Sequence, residues 1–203
     1  MIGLVGGIAS GKSLVAESLK SQGAAVVSAD ALAHEVLDYD EVKRAARQRW
    51  GDAIFTPAGD VDRAALAKIV FAPPPDGPRE RKHLEQLIHP EVGRLIGQRL
   101  EALQRDGRTE AIVLDVPLLV ESGWNKLCDA VVYVEAPREQ RLSRAMARGW
   151  PAEDFERREA AQETLAQKRE QADLVIDNSG SLEATRSQVE QFWRDTIEAT
   201  PRS

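Results

Sequence analysis

Apolar and polar positions follow one another along the chain in blocks that predict strands alternating with helices. Five short segments are mostly apolar, which is typical of strands covered on both faces of a parallel sheet. They are Met1–Val5, Ala24–Ser28, Glu110–Val116, Asp129–Glu135 and Ala172–Asp177. Helical spacing of apolar residues predicts helices over Gly11–Gln22, Ala31–Trp50, Asp62–Val70, Pro78–Arg105, Pro137–Arg148, Pro151–Gln171 and Leu182–Glu198. This alternation predicts an α/β fold with a doubly wound, five-stranded parallel sheet.

The predicted strands are unevenly spaced. The chain between the second and third strands is far longer than one crossover helix requires, and it is helical and charged. We therefore predict a helical subdomain over residues 31–108, inserted into a core formed by residues 1–30, 109–137 and 172–203. A second helical stretch, residues 138–171, lies before the last strand and is rich in arginine.

A glycine-rich segment joins the first strand to the first helix. Its sequence, GGIASGKS over residues 6–13, matches the pattern G-x-x-x-x-G-K-[ST]. Between a strand and a helix, this pattern is typical of a P-loop, whose backbone N–H groups surround an anion beside a helix N-terminus. Lys12 can reach the β- and γ-phosphates, and the Ser13 hydroxyl can bind Mg²⁺. The segment predicts nucleoside triphosphate binding through Gly7, Ile8, Ala9, Ser10, Gly11, Lys12, Ser13 and Leu14.

Two carboxylates follow predicted strands, at the sheet edge where parallel α/β folds bind their ligands. Asp115 ends the third strand, where it can hold Mg²⁺ directly or through water; the alternative is a cap of the next turn. Asp30 ends the second strand, where it can accept a proton from an acceptor hydroxyl. Asp30 is equally well placed to be a helix N-cap, and the two roles are compatible.

The arginine-rich stretch has two explanations. Arg141, Arg144 and Arg148 recur at helical spacing and therefore share a face. Glutamates are interleaved with them, which is typical of solvated helices joined by ion pairs. The alternative is a lid over residues 138–171, whose arginines neutralise the charge of a transferring phosphoryl group and whose closure excludes water.

Composition narrows the range of partners. The formal net charge is −6, which argues against nucleic acid or an anionic membrane as the main partner. The chain has no apolar run long enough to span a bilayer, and the glycine-rich loop stands where a leader peptide would be. We expect a cytoplasmic protein that acts on a small molecule.

Two other classes of nucleotide-binding protein remain as alternatives. The first is a P-loop kinase for another small molecule, such as a nucleoside monophosphate. The second is a nucleotide-dependent switch without transfer activity. Val116–Leu119 after Asp115 lacks the D-x-x-G of GTPases, and Asn125-Lys126 lacks the aspartate that completes N-K-x-D. Both departures count against the switch.

The order of motifs resembles the dephospho-coenzyme A kinase family from about Met1 to Gly180. The matching residues are Gly6–Ser13, Ala29-Asp30, His34, Gly59, Asp62-Arg63, Phe71, Leu84-Glu85, His89-Pro90, Asp115–Leu119, Glu121, Gln140-Arg141, Arg148, Gln162, Lys168-Arg169, Ala172-Asp173 and Asn178. The P-loop alone is shared by many NTPases, whereas Asp-Val-Pro-Leu-Leu and Leu-Glu…His-Pro are more specific.

The resemblance implies transfer of the ATP γ-phosphoryl group, with Mg²⁺, to the ribose 3′-hydroxyl of dephospho-CoA. It also implies a nucleotide-binding core, a helical CoA-binding domain and a lid, and we expect a monomer. By the same resemblance Asp30 is the base, Arg141 and Arg148 belong to the lid, and Asn178 lies near the adenine. The acceptor-binding region would contain His34, Asp62, Arg63, His89, Pro117 and Leu118.

The chain departs from the family pattern at four places. Ala9 replaces a glycine and would be strained if its φ were positive. Leu14 replaces a threonine after Lys-Ser, and Glu163-Thr164 replaces a hydrophobic-proline pair in the lid. The loop over Pro73–Pro78 is longer than usual.

Overall fold

A parallel sheet of five strands forms the centre of the fold. The computed structural model describes residues 1–160 and 164–199. The strands are β1 (Ile2–Gly6), β2 (Ala25–Ser28), β3 (Ile112–Asp115), β4 (Ala130–Glu135) and β5 (Leu174–Asp177). They lie in the order β2-β3-β1-β4-β5, and every neighbouring pair is parallel. The predicted α/β fold is confirmed, and each strand begins one or two residues later than predicted.

The chain forms two compact units, Met1–Ser28 with Ala102–Ser203, and Ala29–Glu101. In the first unit, helices α1 (Lys12–Ser21) and α9 (Leu182–Trp193) cover one face of the sheet. The core there consists of apolar side chains from the strands and both helices, including Leu4, Val113, Val132, Leu19 and Trp193. The helix predicted over Leu182–Glu198 ends early, and a π-helical turn, Arg194–Glu198, follows it.

The second unit is helical. It contains α2 (Ala29–Val36), α3 (Asp40–Trp50), α4 (Arg63–Val70) and most of α5 (Asp76–Asp106), with a short 3₁₀ turn at Asp52–Ile54. The single helix predicted over Ala31–Trp50 is therefore wrong. Tyr39 has an extended backbone, and Asp40 and Glu41 then occupy the first turn of α3, where acidic residues favour a new helix N-terminus.

Helix α5 is 31 residues long and continues through Pro90. His89 precedes Pro90, which by local preference predicts a turn or a helix start, but this prediction is wrong because His89 lies within the helix. Pro90 cannot donate a hydrogen bond to the carbonyl of Gln86, a loss that usually breaks a helix. Buried Ile88 and Val92 flank the proline, so packing of this face holds the helix together despite that loss.

The described residues between β4 and β5 form three helices, α6 (Arg138–Ala147), α7 (Ala152–Ala160) and α8 (Leu165–Glu170). The single helix predicted over Pro151–Gln171 is wrong, because Thr164 caps a separate helix. Its side chain accepts a hydrogen bond from the Gln167 N–H, and the Gln167 side chain accepts one from the Thr164 N–H. Gln162 and Glu163 lie outside the described residues. No helix in the described part of the chain is long and apolar enough to cross a membrane.

Candidate active site

The glycine-rich loop connects β1 to α1, the first helix of the first unit. Gly6 and Gly11 have positive φ angles of 156° and 104°, which favour glycine. A Cβ atom on Gly6 would lie 2.6 Å from the Val134 carbonyl oxygen and 2.7 Å from Ser10 Oγ, so no larger residue fits. Within the loop, the Ser10 N–H donates to the Gly7 carbonyl at 3.1 Å. The loop thus turns sharply into α1, whose N-terminal N–H groups attract anions.

Ala9 has a φ of +57°. The left-handed region costs an L-residue other than glycine about 1–2 kcal/mol. Because its φ is positive, Ala9 strains the loop, as the sequence analysis expects for this case.

Asp115 lies at the same sheet edge as the loop. It is the last residue of β3, a strand that pairs with β1 on one side and with β2 on the other. Ser13 lies in the first turn of α1, directly after the loop. One hydroxyl and one carboxylate at this edge fit Mg²⁺, which usually binds through one or two protein oxygens together with substrate phosphates. A metal site formed by protein ligands alone would need more side chains. The described residues contain no cluster of three or more His, Cys, Asp or Glu side chains able to form one.

Arg141 of α6 is packed against the loop. Its side chain is 2% exposed, its Nε donates to the Ala136 carbonyl at 3.1 Å, and one Nη donates to the Ile8 carbonyl at 3.5 Å. The same Nη forms an ion pair with Glu159 of α7 at 2.5 Å. Arg141 therefore joins the loop to α7, and its direct contact with a phosphate stays a prediction.

Arg148 and Asn178 differ sharply in burial. Arg148 follows the last residue of α6 and is exposed. Asn178 follows β5 and is 3% exposed, and its Nδ2 donates to the Ser10 carbonyl at 2.7 Å. The side chain that the resemblance places near the adenine thus holds the phosphate loop.

A cavity of about 1020 Å³ lies beside the loop in the first unit. Its walls are Gly7 and Ile8, the end of β4, the start of α6, and parts of α7 and α8. Three of its arginines pair with glutamates: Arg138 with Glu156, Arg141 with Glu159, and Arg169 with Glu135. The described structure therefore shows ion pairs of the kind that the first explanation expects, but Arg141 is buried and not solvated. Closure of a lid stays a prediction.

Five predicted site residues belong to the helical unit, and four of them are exposed. Asp30 is the second residue of α2, so it is not the N-cap, and His34 lies one turn later on the same helix. Asp62 caps α4 by accepting hydrogen bonds from the N–H groups of Ala64 at 2.9 Å and Ala65 at 3.0 Å. Arg63 begins α4, and His89 lies in the middle of α5. The exposed residues are Asp30, His34, Arg63 and His89.

Pro117 and Leu118 belong to the first unit, in the exposed turn that follows β3. Sequence reasoning missed Thr185 as a partner of the site. It included Glu159 only as one of the interleaved glutamates and Lys168 only among the residues that carry the resemblance. Lys168 of α8 is nearly fully buried and pairs with Glu121 after β3 at 3.2 Å. No local pattern predicts the Lys168–Glu121 pair, because its two residues are distant along the chain. None predicts the contact of Thr185 with Asn178 either, because the stretch around Thr185 is unremarkable in composition.

The fold and the loop define the class of protein. A P-loop between β1 and α1, a carboxylate at the end of the adjacent strand, and arginine-rich helices after β4 are the features of a P-loop kinase, an ATP-dependent phosphotransferase. Residues 1–184 match the family model described as dephospho-CoA kinase. The chain belongs to the dephospho-CoA kinase family, as the resemblance predicts.

Individual relatives agree with this assignment. A dephospho-CoA kinase of Symbiobacterium thermophilum is 45% identical over 196 residues, which cover 96% of this chain and 80% of the relative. The structure of a Thermus thermophilus protein matches with a TM-score of 0.73 at 36% identity, over 96% of both chains. A dephospho-CoA kinase from Campylobacter jejuni matches with a TM-score of 0.70 at 26% identity, over 97% of this chain and 96% of that one.

Proposed function

We propose that this chain transfers the γ-phosphoryl group of ATP to the ribose 3′-hydroxyl of dephospho-CoA, giving CoA and ADP. The observation that carries the proposal is the family match over residues 1–184, which includes the P-loop and the Asp115–Leu119 motif. A small-molecule acceptor is also in keeping with the net charge of −6.

The phosphates of ATP bind at the loop in this proposal. The backbone N–H groups of residues 7–13 and the N-terminus of α1 surround them, and Lys12 contacts the β- and γ-phosphates. Ser13 and Asp115 would hold Mg²⁺, which when bound neutralises the charge on the phosphate oxygens. Leu14 offers no hydroxyl where the family usually has threonine, so binding of the α-phosphate relies on backbone groups.

Asp30 is the proposed general base. As the 3′-hydroxyl oxygen bonds to the γ-phosphorus, its proton passes to the Asp30 carboxylate, and the bond to the β-phosphate oxygen breaks to release ADP. Arg141 and Arg148 are the proposed lid arginines that stabilise the charge on the transferring group. Asp30 is exposed at the start of α2, where an acceptor hydroxyl has access to it.

The helical unit is proposed to bind the acceptor through His34, Asp62, Arg63 and His89. Pro117 and Leu118 are assigned to the same role. Asp62 already accepts two backbone hydrogen bonds as the cap of α4, so its part is to fix the position of Arg63. Arg63 is then the residue that pairs with an acceptor phosphate.

The test is an ADP-release assay with ATP, Mg²⁺ and dephospho-CoA, in which the product is identified by mass. We expect CoA, with AMP and UMP as inactive acceptors. Efficient phosphorylation of AMP or UMP would instead identify a nucleoside monophosphate kinase. ATP binding without product from any acceptor would identify a nucleotide-binding protein without transfer activity.

A further inference from the structure

The carbonyl oxygen of Ser10 is held by two side chains from outside the phosphate loop. It accepts a hydrogen bond from Asn178 Nδ2 at 2.7 Å and one from an Nη of Arg144 at 3.1 Å. Ser10 is only 1% exposed, so water does not supply these donors. When the N–H groups of a loop point inward to an anion, its carbonyl groups point outward and need partners of their own. Asn178 and Arg144 supply such partners.

Asn178 is itself fixed on every polar atom. Its Oδ1 accepts a hydrogen bond from Thr185 Oγ1 at 2.9 Å, and its N–H donates to the Glu135 carbonyl at 2.8 Å. Its carbonyl accepts from the second Nη of Arg144 at 2.8 Å. Because the Ser10 carbonyl can only accept, it requires the amide nitrogen of Asn178, and Thr185 faces the amide oxygen.

At Gly11 the loop packs closely against the Asn178 side chain. A Cβ atom on Gly11 would lie 2.0 Å from Asn178 Nδ2, and the φ of Gly11 is +104°. The loop reaches this position only because residue 11 has no side chain. Thr185 and Asn178 are 1% and 3% exposed, so they contact the loop from its protein side.

We propose that Asn178, supported by Thr185 and Arg144, is a positioning residue that keeps the phosphate loop in its anion-binding shape before nucleotide arrives. The inference rests on the part of the proposed function that binds a nucleotide at the loop. It does not depend on which acceptor is phosphorylated. Both ends of the Asn178 amide are engaged within the protein. It therefore acts on the phosphates through the loop and does not select the base.

The decisive test separates phosphate binding from base selection. Calorimetry measures the affinity of the wild type, Asn178→Ala and Thr185→Val for inorganic tripolyphosphate, which has no base, and for ADP. We expect both variants to bind both ligands about tenfold more weakly, the size of one lost hydrogen bond. The ratio of the affinities for ADP and GDP, measured in the same way, stays as in the wild type.

Thr185→Ser is the matched control, because it retains the hydroxyl and should restore tripolyphosphate binding lost in Thr185→Val. Thermal unfolding identifies any variant that fails to fold, and the Thr185 pair tests the proposal without Asn178→Ala. A changed ADP-to-GDP affinity ratio with normal tripolyphosphate binding would overturn the proposal in favour of a base contact. Wild-type binding by Thr185→Val would also overturn it. Failure of the CoA assay would leave these results unaffected, since no acceptor is present.

Discussion

Ala9 is the only non-glycine residue with a positive φ in the described part of the chain, and it lies in the phosphate loop. Replacing Ala9 with glycine removes the contact between Cβ and the following carbonyl, which stabilises the folded state. It also increases the conformational entropy of the unfolded chain, which offsets part of that gain. We expect Ala9→Gly to raise the free energy of unfolding by about 0.5 kcal/mol, or the melting temperature by about 1–2 °C. Thermal unfolding measures this change.

Ala102, which is exposed in α5, provides the matched comparison. There Ala→Gly should lower the free energy of unfolding by about 1 kcal/mol, because a helical φ gives glycine no advantage. A loss of stability in both variants would show that Ala9 is not strained.

Removing the positive charge of Lys12 tests its proposed role at the phosphate site. We expect Lys12→Ala to lower kcat by about 10²- to 10³-fold, since the β- and γ-phosphates lose a cation. The ADP-release assay measures it, with circular dichroism as the control for folding. Near-normal turnover would remove Lys12 from the mechanism.

Asp30 tests the proposed base. Asp30→Asn keeps the size of the side chain and removes its ability to accept a proton. We expect kcat to fall by about 10²- to 10⁴-fold with ADP affinity unchanged. Unchanged turnover would leave Asp30 as an acidic residue in the first turn of α2, with only a helix-stabilising effect.

At the level of elements, Glu80 joins α3 to α5 in the helical unit. Its carboxylate accepts hydrogen bonds from Arg49 at 2.9 and 2.8 Å, from the Trp50 indole at 3.0 Å and from Arg79 at 2.9 Å. Arg49 first, then Arg79, lower the pKa of Glu80 from 4.5 to about 2. The two helices are therefore joined by a carboxylate that stays ionised in moderate acid.

The pH dependence of stability follows from this lowered pKa. The folded state holds Glu80 ionised more strongly than the unfolded state, so its contribution is complete above about pH 4.5 and is lost as the pH falls towards 2. We expect Glu80→Gln to lower the urea midpoint at pH 7, with the difference from wild type shrinking between pH 4.5 and 2. A difference that is constant over this range would assign the loss to packing.

Element types could be predicted from sequence, but two helix breaks could not. Periodicity distinguishes strand from helix because each period follows from local backbone geometry. It does not show where a helix stops when helical spacing continues across the break, as it does at Tyr39 and Thr164. The cap of α8 depends on a reciprocal pair, Thr164 and Gln167, that is recognisable in retrospect. Pro90 misled in the other direction, because tertiary packing overrides its local preference.

At the level of the whole molecule, Lys168 and Glu121 connect helix α8 to the turn after β3. Lys168 is 2% exposed and Glu121 is 22% exposed, so this pair lies largely out of water. Removing one partner of a buried pair leaves a charge that the protein interior does not solvate. We expect Glu121→Gln or Lys168→Met to lower the free energy of unfolding by about 2–4 kcal/mol.

A double-mutant cycle measures this coupling. The variant with both Lys168→Met and Glu121→Gln should lose much less stability than the sum of the single losses, because no buried charge remains. Additive losses, measured by urea denaturation, would show that the two residues act independently.

The sequence by itself determined the sheet class, the phosphate loop and the carboxylate after β3. Each of these depends on residues that are adjacent along the chain, so local backbone geometry and chemistry suffice to predict it. Only the tertiary structure decided that the Asn178 side chain donates a hydrogen bond to the Ser10 carbonyl, 168 residues away, and that Arg141 donates one to the Ile8 carbonyl, 133 residues away. Those contacts depend on strand order and on the packing of α6 against the loop, which bring distant donors to the carbonyl groups of the loop. A local sequence pattern does not predict such hydrogen bonds, because many buried donors could satisfy the same carbonyl acceptor.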